Sequence, residues 1–343
     1  VRGCACCGRR AWCSRTSEAS MKRAMKRALL VADVVNWAWG FRAADLSEYA
    51  PDGIEVTVAV QADVKQHDPR KYDAVYWMPW QFPDWRFLDR CHRKVTLLTC
   101  NGLQFDGIDD TNWQSWVYTQ NRGSQRAREN LPKFDAVIAV NQRLHEASKR
   151  HNRETYLVPS AVNTELFTPG PPAHGHKLKV GWCASPRGER SVKGHKEVLA
   201  PLVDRTFDKY DWVTNTRDYR DALTREQMVA WYHGIDVFVC TSINEGTPSP
   251  VFEAASCGRA VISTDVGCVA DWKLPHSLDL VTGTYRNQKE AGAIIEATAA
   301  RLAFFDGNRD IMHNVGQDLR KSVEAEYSYR TLAPRYYRAI LGE

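Results

Sequence analysis

The chain has 343 residues, 43% hydrophobic and 25% charged. That excludes a disordered polypeptide and suits two domains at the usual ~100–200 residues each. The formal charge is +5, but the first twenty residues hold Arg2, Arg9, Arg10 and Arg15 against Glu18 alone, so the rest is close to neutral and shows no nucleic-acid-binding stripe. No apolar run approaches the ~20 residues of a membrane-spanning helix.

In chain order, Val1–Ser20 reads as a tail, or as a translated stretch upstream of Met21, without the apolar core of a signal peptide. Cys4, Cys6, Cys7 and Cys13 crowd it, but no histidine or second cysteine pair stands at zinc spacing. The other six cysteines are scattered, four in or beside apolar runs. They read as reduced, buried thiols of a cytoplasmic protein. Strands are predicted at Ala28–Ala32, Glu55–Val60, Ala74–Trp77, Val95–Thr99, Ala136–Val140 and Tyr156–Val158. Helices between them include Phe41–Tyr49, Ser124–Leu131 and Gln142–Arg150. Short apolar runs alternating with amphipathic stretches indicate βαβ units and a parallel sheet.

Pro and Gly are dense over residues 169–176, which reads as a linker. A second alternation follows, with strands Leu178–Trp182, Trp212–Asn215, Asp236–Cys240, Ala260–Thr264 and Leu278–Val281. Its helices include Lys196–Val203, Arg225–Tyr232, Pro250–Cys257 and Glu290–Phe304, and the helical stretches Asp310–Glu326 and Tyr329–Leu341 close the chain. Two parallel-sheet α/β domains leave a cleft at the carboxyl ends of their strands, where ligands bind in such sheets.

Within residues 236–267, a buried strand leads into Glu245-Gly246-Thr247-Pro248-Ser249-Pro250-Val251 and a helix that carries Glu253. Pro248 and Pro250 suit a first helical turn, and Thr247 or Ser249 is expected to cap it. Both carboxylates then flank a helix N-terminus, a favourable place for a diphosphate, and both can accept hydrogen bonds from sugar hydroxyls. Two glutamates at this spacing by themselves also suit a solvated helix face. The flanking glycines, prolines and strands favour a site.

The setting E-G-x-P-x-x-x-x-E-A-x-x-x-G-x-x-V-I-x-T-D-x-G resembles the nucleotide-sugar site of retaining GT-B glycosyltransferases, the large group with many bacterial cell-surface and lipopolysaccharide sugar transferases. Leu223–Ser242 resembles the lead-in of that family, Val158–Phe167 its interdomain stretch, and Lys193-Gly194 its Lys-Gly after the first strand of the second domain. The resemblance covers most of residues 155–270. It implies a GT-B fold with two Rossmann-like domains: an acceptor-side domain (21–168), a linker (169–176), a nucleotide-sugar domain (177–326) and a helix returning to the first domain (327–343). It also implies that Glu245 holds the transferred sugar, Glu253 the ribose, and Lys193, with Arg187 upstream, the diphosphate. Gly246 through Val251 line the donor. The configuration is retained and no metal or other cofactor is needed. The implied partners are a nucleotide sugar and a glycan, lipid-linked or other hydroxyl acceptor, with peripheral membrane contact left open.

Two positions depart from the family pattern. Asn101 stands where a histidine often faces the acceptor, and Gly40 is what remains of a glycine pair near the donor phosphates. Asparagine can orient a hydroxyl but does not act as a base near neutral pH; Asn101-Gly102 is also an ordinary turn pair, and Gly40 also reads as a helix cap. The aromatic run Tyr76–Pro83 reads as a strand end plus a loop toward the cleft, with Trp77 in the core. A sugar-nucleotide epimerase on the same fold and a non-catalytic nucleotide-sugar binder remain the alternatives; a phosphorylase would need a far longer chain.

Overall fold

The computed structural model describes residues 25–99, 125–173, 175–184, 191–216, 223–269, 271–272, 281–285 and 287–343. Val1–Ser20, Asn101 and Arg187 lie outside those residues.

Strands β1 (Lys26–Ala32), β2 (Ile54–Val60), β3 (Ala74–Trp77), β4 (Lys94–Leu98), β5 (Ala136–Ala139) and β6 (Thr155–Leu157) form a parallel sheet in the order β2-β1-β3-β4-β5-β6. Every residue of β3 and β5 is buried, whereas the edge strands β2 and β6 are partly open. Strands covered on both faces read as continuous apolar runs, which is why the central ones were visible in the sequence. Helix α1 (Ala38–Glu48) follows β1, α2 (Trp85–Leu88) follows β3, α3 covers residues 125–130, and α4 (Gln142–Ser148) follows β5. Asn141 caps α4 by accepting the Leu144 N–H at 2.8 Å.

The second sheet has the order β10-β9-β7-β8 and is also parallel, with β7 (Lys179–Cys183), β8 (Asp211–Asn215), β9 (Val237–Cys240) and β10 (Ala260–Ser263). Helices α5 (Ala200–Thr206), α6 (Arg225–His233), α7 (Ser249–Ser256), α8 (Gln288–Gly307) and α9 (Arg309–Glu326) pack around it. The stretch expected as a helix from Lys196 starts as a wide turn over His195–Leu199, where the Leu199 N–H reaches back to the Gly194 carbonyl at 2.9 Å. Pro201, in the first turn of α5, has no N–H to donate back into that turn. Of the strand expected at Leu278–Val281, the described part is Val281, which forms a single bridge with Ser263.

The chain passes from one core to the other between Val158 and Val162, ahead of the Pro/Gly-rich stretch at 169–176. It crosses a second time beside the first, where Val162 exchanges backbone bonds with Tyr327 and Tyr329. Helix α10 (Tyr329–Leu341) then packs on β3, β4 and β5. Its apolar face, Leu332, Tyr336 and Ile340 included, is fully buried in the first domain, and Tyr337 Oη donates to the Leu46 carbonyl at 2.7 Å. Among the described residues no helix is long and apolar enough to cross a membrane.

Candidate active site

Both sheets turn their carboxyl edges toward a shared cleft of about 400 Å³. The second domain contributes Lys193, Glu245, Thr247, Ser249, Pro250 and Glu253 to its wall. The loop after β9 is fixed by a chain of hydroxyls. Trp182 Nε1 donates to Thr241 Oγ1 at 3.0 Å, Thr241 Oγ1 donates to the Lys193 carbonyl at 2.7 Å, and Thr264 Oγ1 donates to the Ser242 carbonyl at 2.6 Å. Ser242 Oγ in turn donates to Glu245 Oε1 at 2.8 Å. Lys193 Nζ meets the same carboxylate oxygen at 2.5 Å. The lysine side chain is 38% exposed and the glutamate 13%, so the ion pair sits at the cleft surface with the carboxylate deeper.

The Lys193-Gly194 pair has a steric reason. Gly194 lies at φ +69°, and a Cβ there would fall 2.0 Å from the Thr241 carbonyl oxygen and 2.3 Å from Tyr285 Oη. Glycine lets the Lys193 turn lie directly against the strand end that carries Glu245. Gly267 closes the other side: at φ +58°, its absent Cβ would sit 2.4 Å from the Gly246 carbonyl oxygen.

Glu253, in the second turn of α7, lines the cleft and accepts Tyr232 Oη at 2.8 Å. Burial pushes its carboxyl above the usual carboxylate range, opposed by the Tyr232 hydrogen bond and the Arg225 charge. The start of α7 differs from expectation. Its cap position is Pro248, with no side-chain cap bond, and neither Thr247 nor Ser249 caps it. Ser249 already lies within the helix, and Thr247 Oγ1 instead accepts the Cys268 thiol at 3.6 Å. Pro248 and Pro250 carry no N–H, and the Val251 N–H is used on the Pro248 carbonyl at 2.9 Å. This terminus therefore offers an anion fewer backbone donors than an ordinary helix start, which shifts weight onto Lys193.

The remaining expected residues are dispersed. Thr247, Ser249 and Pro250 face the cleft, whereas Val251 is fully buried in the core. Pro248 and Val251 line a void of about 20 Å³ behind the Lys193–Glu245 pair. The Gly246 carbonyl accepts Asn141 Nδ2 of the first domain at 2.9 Å. Gly40 is buried in the first turn of α1 against the Val34 and Val35 carbonyls, while its neighbours Trp37, Ala38 and Phe41 line the cleft. Trp80, in the aromatic run read as a loop toward the cleft, is fully buried.

Several cleft residues had no assigned part in the sequence reading. Arg225, at the start of α6, makes a bidentate pair with Asp45 of α1 at 2.8 Å to each oxygen, across the two domains. Asn163 Nδ2 also donates to Asp45 at 3.0 Å. Arg42 is buried and donates to Ser160 Oγ. Outside the cleft lining, Arg143 of α4 grips both oxygens of Asp265, which follows β10, at 3.0 and 2.9 Å. Arg225 stood inside the motif-like lead-in to β9, but nothing in sequence points to a partner 180 positions away.

Residues 207–303 match the family model described as Glycosyl transferases group 1. That segment contains both glutamates and excludes Lys193. Sucrose-phosphate synthase from Thermosynechococcus elongatus superimposes with a TM-score of 0.63 at 14% identity, over 92% of this chain and 99% of that one. The catalytic domain of starch synthase IV from Arabidopsis thaliana, bound to ADP and acarbose, gives 0.64 at 10% identity, over 93% and 100%. Anabaena HepE in complex with UDP-glucose gives 0.57 at 13% identity, over 92% and 100%. The fold is GT-B. No curated protein sequence matches the chain. The family model over residues 207–303 supports a glycosyltransferase.

Proposed function

We propose that this GT-B protein transfers a sugar from a nucleotide-sugar donor to an acceptor hydroxyl, with retention of configuration and without a metal. The observation that carries the reading is the meeting of Lys193, Glu245 and Glu253 in one interdomain cleft. The donor diphosphate lies by Lys193, the sugar by Glu245 and the ribose by Glu253. Lys193 is then shared between Glu245 and the phosphates, and negative charge growing on the leaving group draws it toward the latter. The acceptor oxygen bonds to the anomeric carbon as the carbon–oxygen bond to the diphosphate breaks. The electron pair stays on the diphosphate, which also takes the acceptor proton, and the sugar carries oxocarbenium character between the two. Cross-domain contacts from Asn141 and Arg143 close the cleft against water, the competing acceptor. The acceptor is a glycan, lipid-linked or other hydroxyl compound, and buried free thiols such as Cys240, Cys257 and Cys268 suit a cytoplasmic setting.

A thermal-shift panel of UDP-, GDP-, ADP- and TDP-sugars tests this. A donor at a hundred times its dissociation constant should stabilise the fold by about 2.7 kcal/mol. NMR of the anomeric proton in the product then reads the configuration. Absence of any shift across the panel sinks the reading; an inverted product sinks the retaining assignment alone.

A further inference from the structure

A second concavity, of about 590 Å³, lies outside the donor cleft. It falls within the ~300–1,000 Å³ usual for small-ligand sites. Its walls come from the segments that follow β2 and β3, the two strands flanking β1, so it opens on the same carboxyl edge as the cleft wall that follows β1. Gln61 Nε2 stitches the two segments together by donating to the Phe82 carbonyl at 2.6 Å.

Its chemistry is cationic and aromatic. Lys65 and Arg86 line it, both exposed. Phe82 is 60% exposed, and the Arg126 guanidinium stands 4.7 Å from its ring centre. Trp85 forms another part of the wall, with Lys133 Nζ 5.1 Å from its ring. Among the described residues, Lys65, Arg86 and Arg126 have no carboxylate partner. Of the wall's other charges, Arg90 pairs with Asp68 at 3.3 Å, and Asp84, the wall's one carboxylate among the described residues, is turned to the start of α2, where it accepts the Phe87 N–H. Lys65 and Arg86 in the wall, with Arg126 on the exposed Phe82 ring, fit a ligand with negative charge and a C–H face.

We infer that this groove receives an acidic saccharide, bearing carboxylate or phosphate groups, as the distal part of the acceptor. The inference rests on the glycosyltransferase reading and names the acceptor class. A concave wall in which Phe82 is, among the described residues, the one strongly exposed apolar side chain suits a saccharide better than a bilayer, which would need a protruding apolar surface.

The test is calorimetric titration of the full chain with tetragalacturonate, with neutral maltotetraose of equal length, and with phosphatidylglycerol vesicles. Tetragalacturonate should bind in a salt-sensitive way and maltotetraose should not. Lys65→Ala/Arg86→Ala should weaken that binding roughly tenfold to a hundredfold, the scale of lost charge-assisted hydrogen bonds. Phe82→Ala should weaken it without changing its salt dependence. The melting temperature of each variant, compared with that of the unsubstituted chain, checks that it is folded. Equal binding of both saccharides, no tetragalacturonate binding, or no loss in the double variant would each overturn the assignment. Vesicle binding lost in those variants, without saccharide binding, would make the groove a membrane face instead. Failure of the glycosyltransferase reading looks different: the unsubstituted chain would bind none of the nucleoside diphosphates, whatever the saccharides do.

Discussion

The second-domain wall of the cleft takes Glu245, Thr247, Ser249, Pro250 and Glu253 from nine consecutive residues. The first-domain wall is assembled from Trp37 at the start of α1, from Arg42 and Asp45 within it, and from Ser160 and Asn163 of the crossing segment. Arg42 and Ser160, hydrogen-bonded to each other, are 118 positions apart. A stretch of wall made of one strand–turn–helix unit must write its backbone demands into adjacent letters, such as the prolines at 248 and 250. A wall made by tertiary packing leaves no such local pattern.

The same contrast explains what was legible in the sequence. Fully buried strands such as β3, β5, β9 and β10 announce themselves as apolar runs, and the parallel two-domain architecture follows from their alternation with helices. The glutamate pair and Lys193-Gly194 were readable because turns there demand glycine and proline. The cap of α7 was misjudged because Thr247 has the right chemistry, but Pro248 occupies the cap position. The Asp45–Arg225 pair was out of reach, since a charged residue on a helix surface gives no hint of whether a partner domain lies over it.

The largest expected effect is at Lys193, the cation from outside the local wall that pairs with its Glu245. Lys193→Ala should lower turnover roughly 10²–10³-fold, the scale of one preorganised group facing a developing anion. The unfolding midpoint should scarcely move, because a part-exposed ion pair contributes little to stability. Turnover close to that of the unsubstituted protein would remove Lys193 from the site.

Next comes the dispersed wall. Asp45 is 4% exposed, and Arg225→Ala would leave its carboxylate to Asn163 and buried surroundings. Breaking a buried pair costs ~3–5 kcal/mol, and the partial exposure of Arg225 places the expected loss at the lower end. Because the pair spans two cores, the loss should emerge as domain opening: a larger radius of gyration in small-angle scattering and a raised donor KM. An unchanged scattering profile with a lowered melting temperature would mean the pair stabilises a single domain instead.

A smaller effect separates the two glutamates of the local wall. Glu253→Ala should weaken free nucleoside-diphosphate binding as well as catalysis, since the ribose is present in both ligands. Glu245→Ala should leave the free nucleotide nearly unaffected and lower kcat/KM for the sugar donor. A hydrogen bond to a charged group contributes ~1.5–3 kcal/mol, so each loss should be roughly tenfold to over a hundredfold. Equal weakening of the free nucleotide by both substitutions would show the roles to be misassigned.

The smallest effect tests whether Glu253 is held at a cost to stability. Burial raises its carboxyl above the ordinary value of about 4.3. Between that ordinary value and the raised native one, the folded chain holds more protons than the unfolded chain. Stability therefore falls as pH rises through this window, and stays lower above it. Glutamine keeps an oxygen for the Tyr232 hydroxyl but carries no charge to bury. Glu253→Gln should then melt like the unsubstituted protein near pH 4 and higher than it at pH 7. A gain of about 1 kcal/mol would shift the midpoint by roughly 2–4 °C in a domain of this size. The same variant should bind nucleoside diphosphates less tightly, because a neutral amide is the weaker partner for ribose hydroxyls. Melting curves at both pH values, with and without nucleotide, separate the two effects. A midpoint difference that stays constant from pH 4 to 7 would mean that ionisation of Glu253 is not what the fold resists.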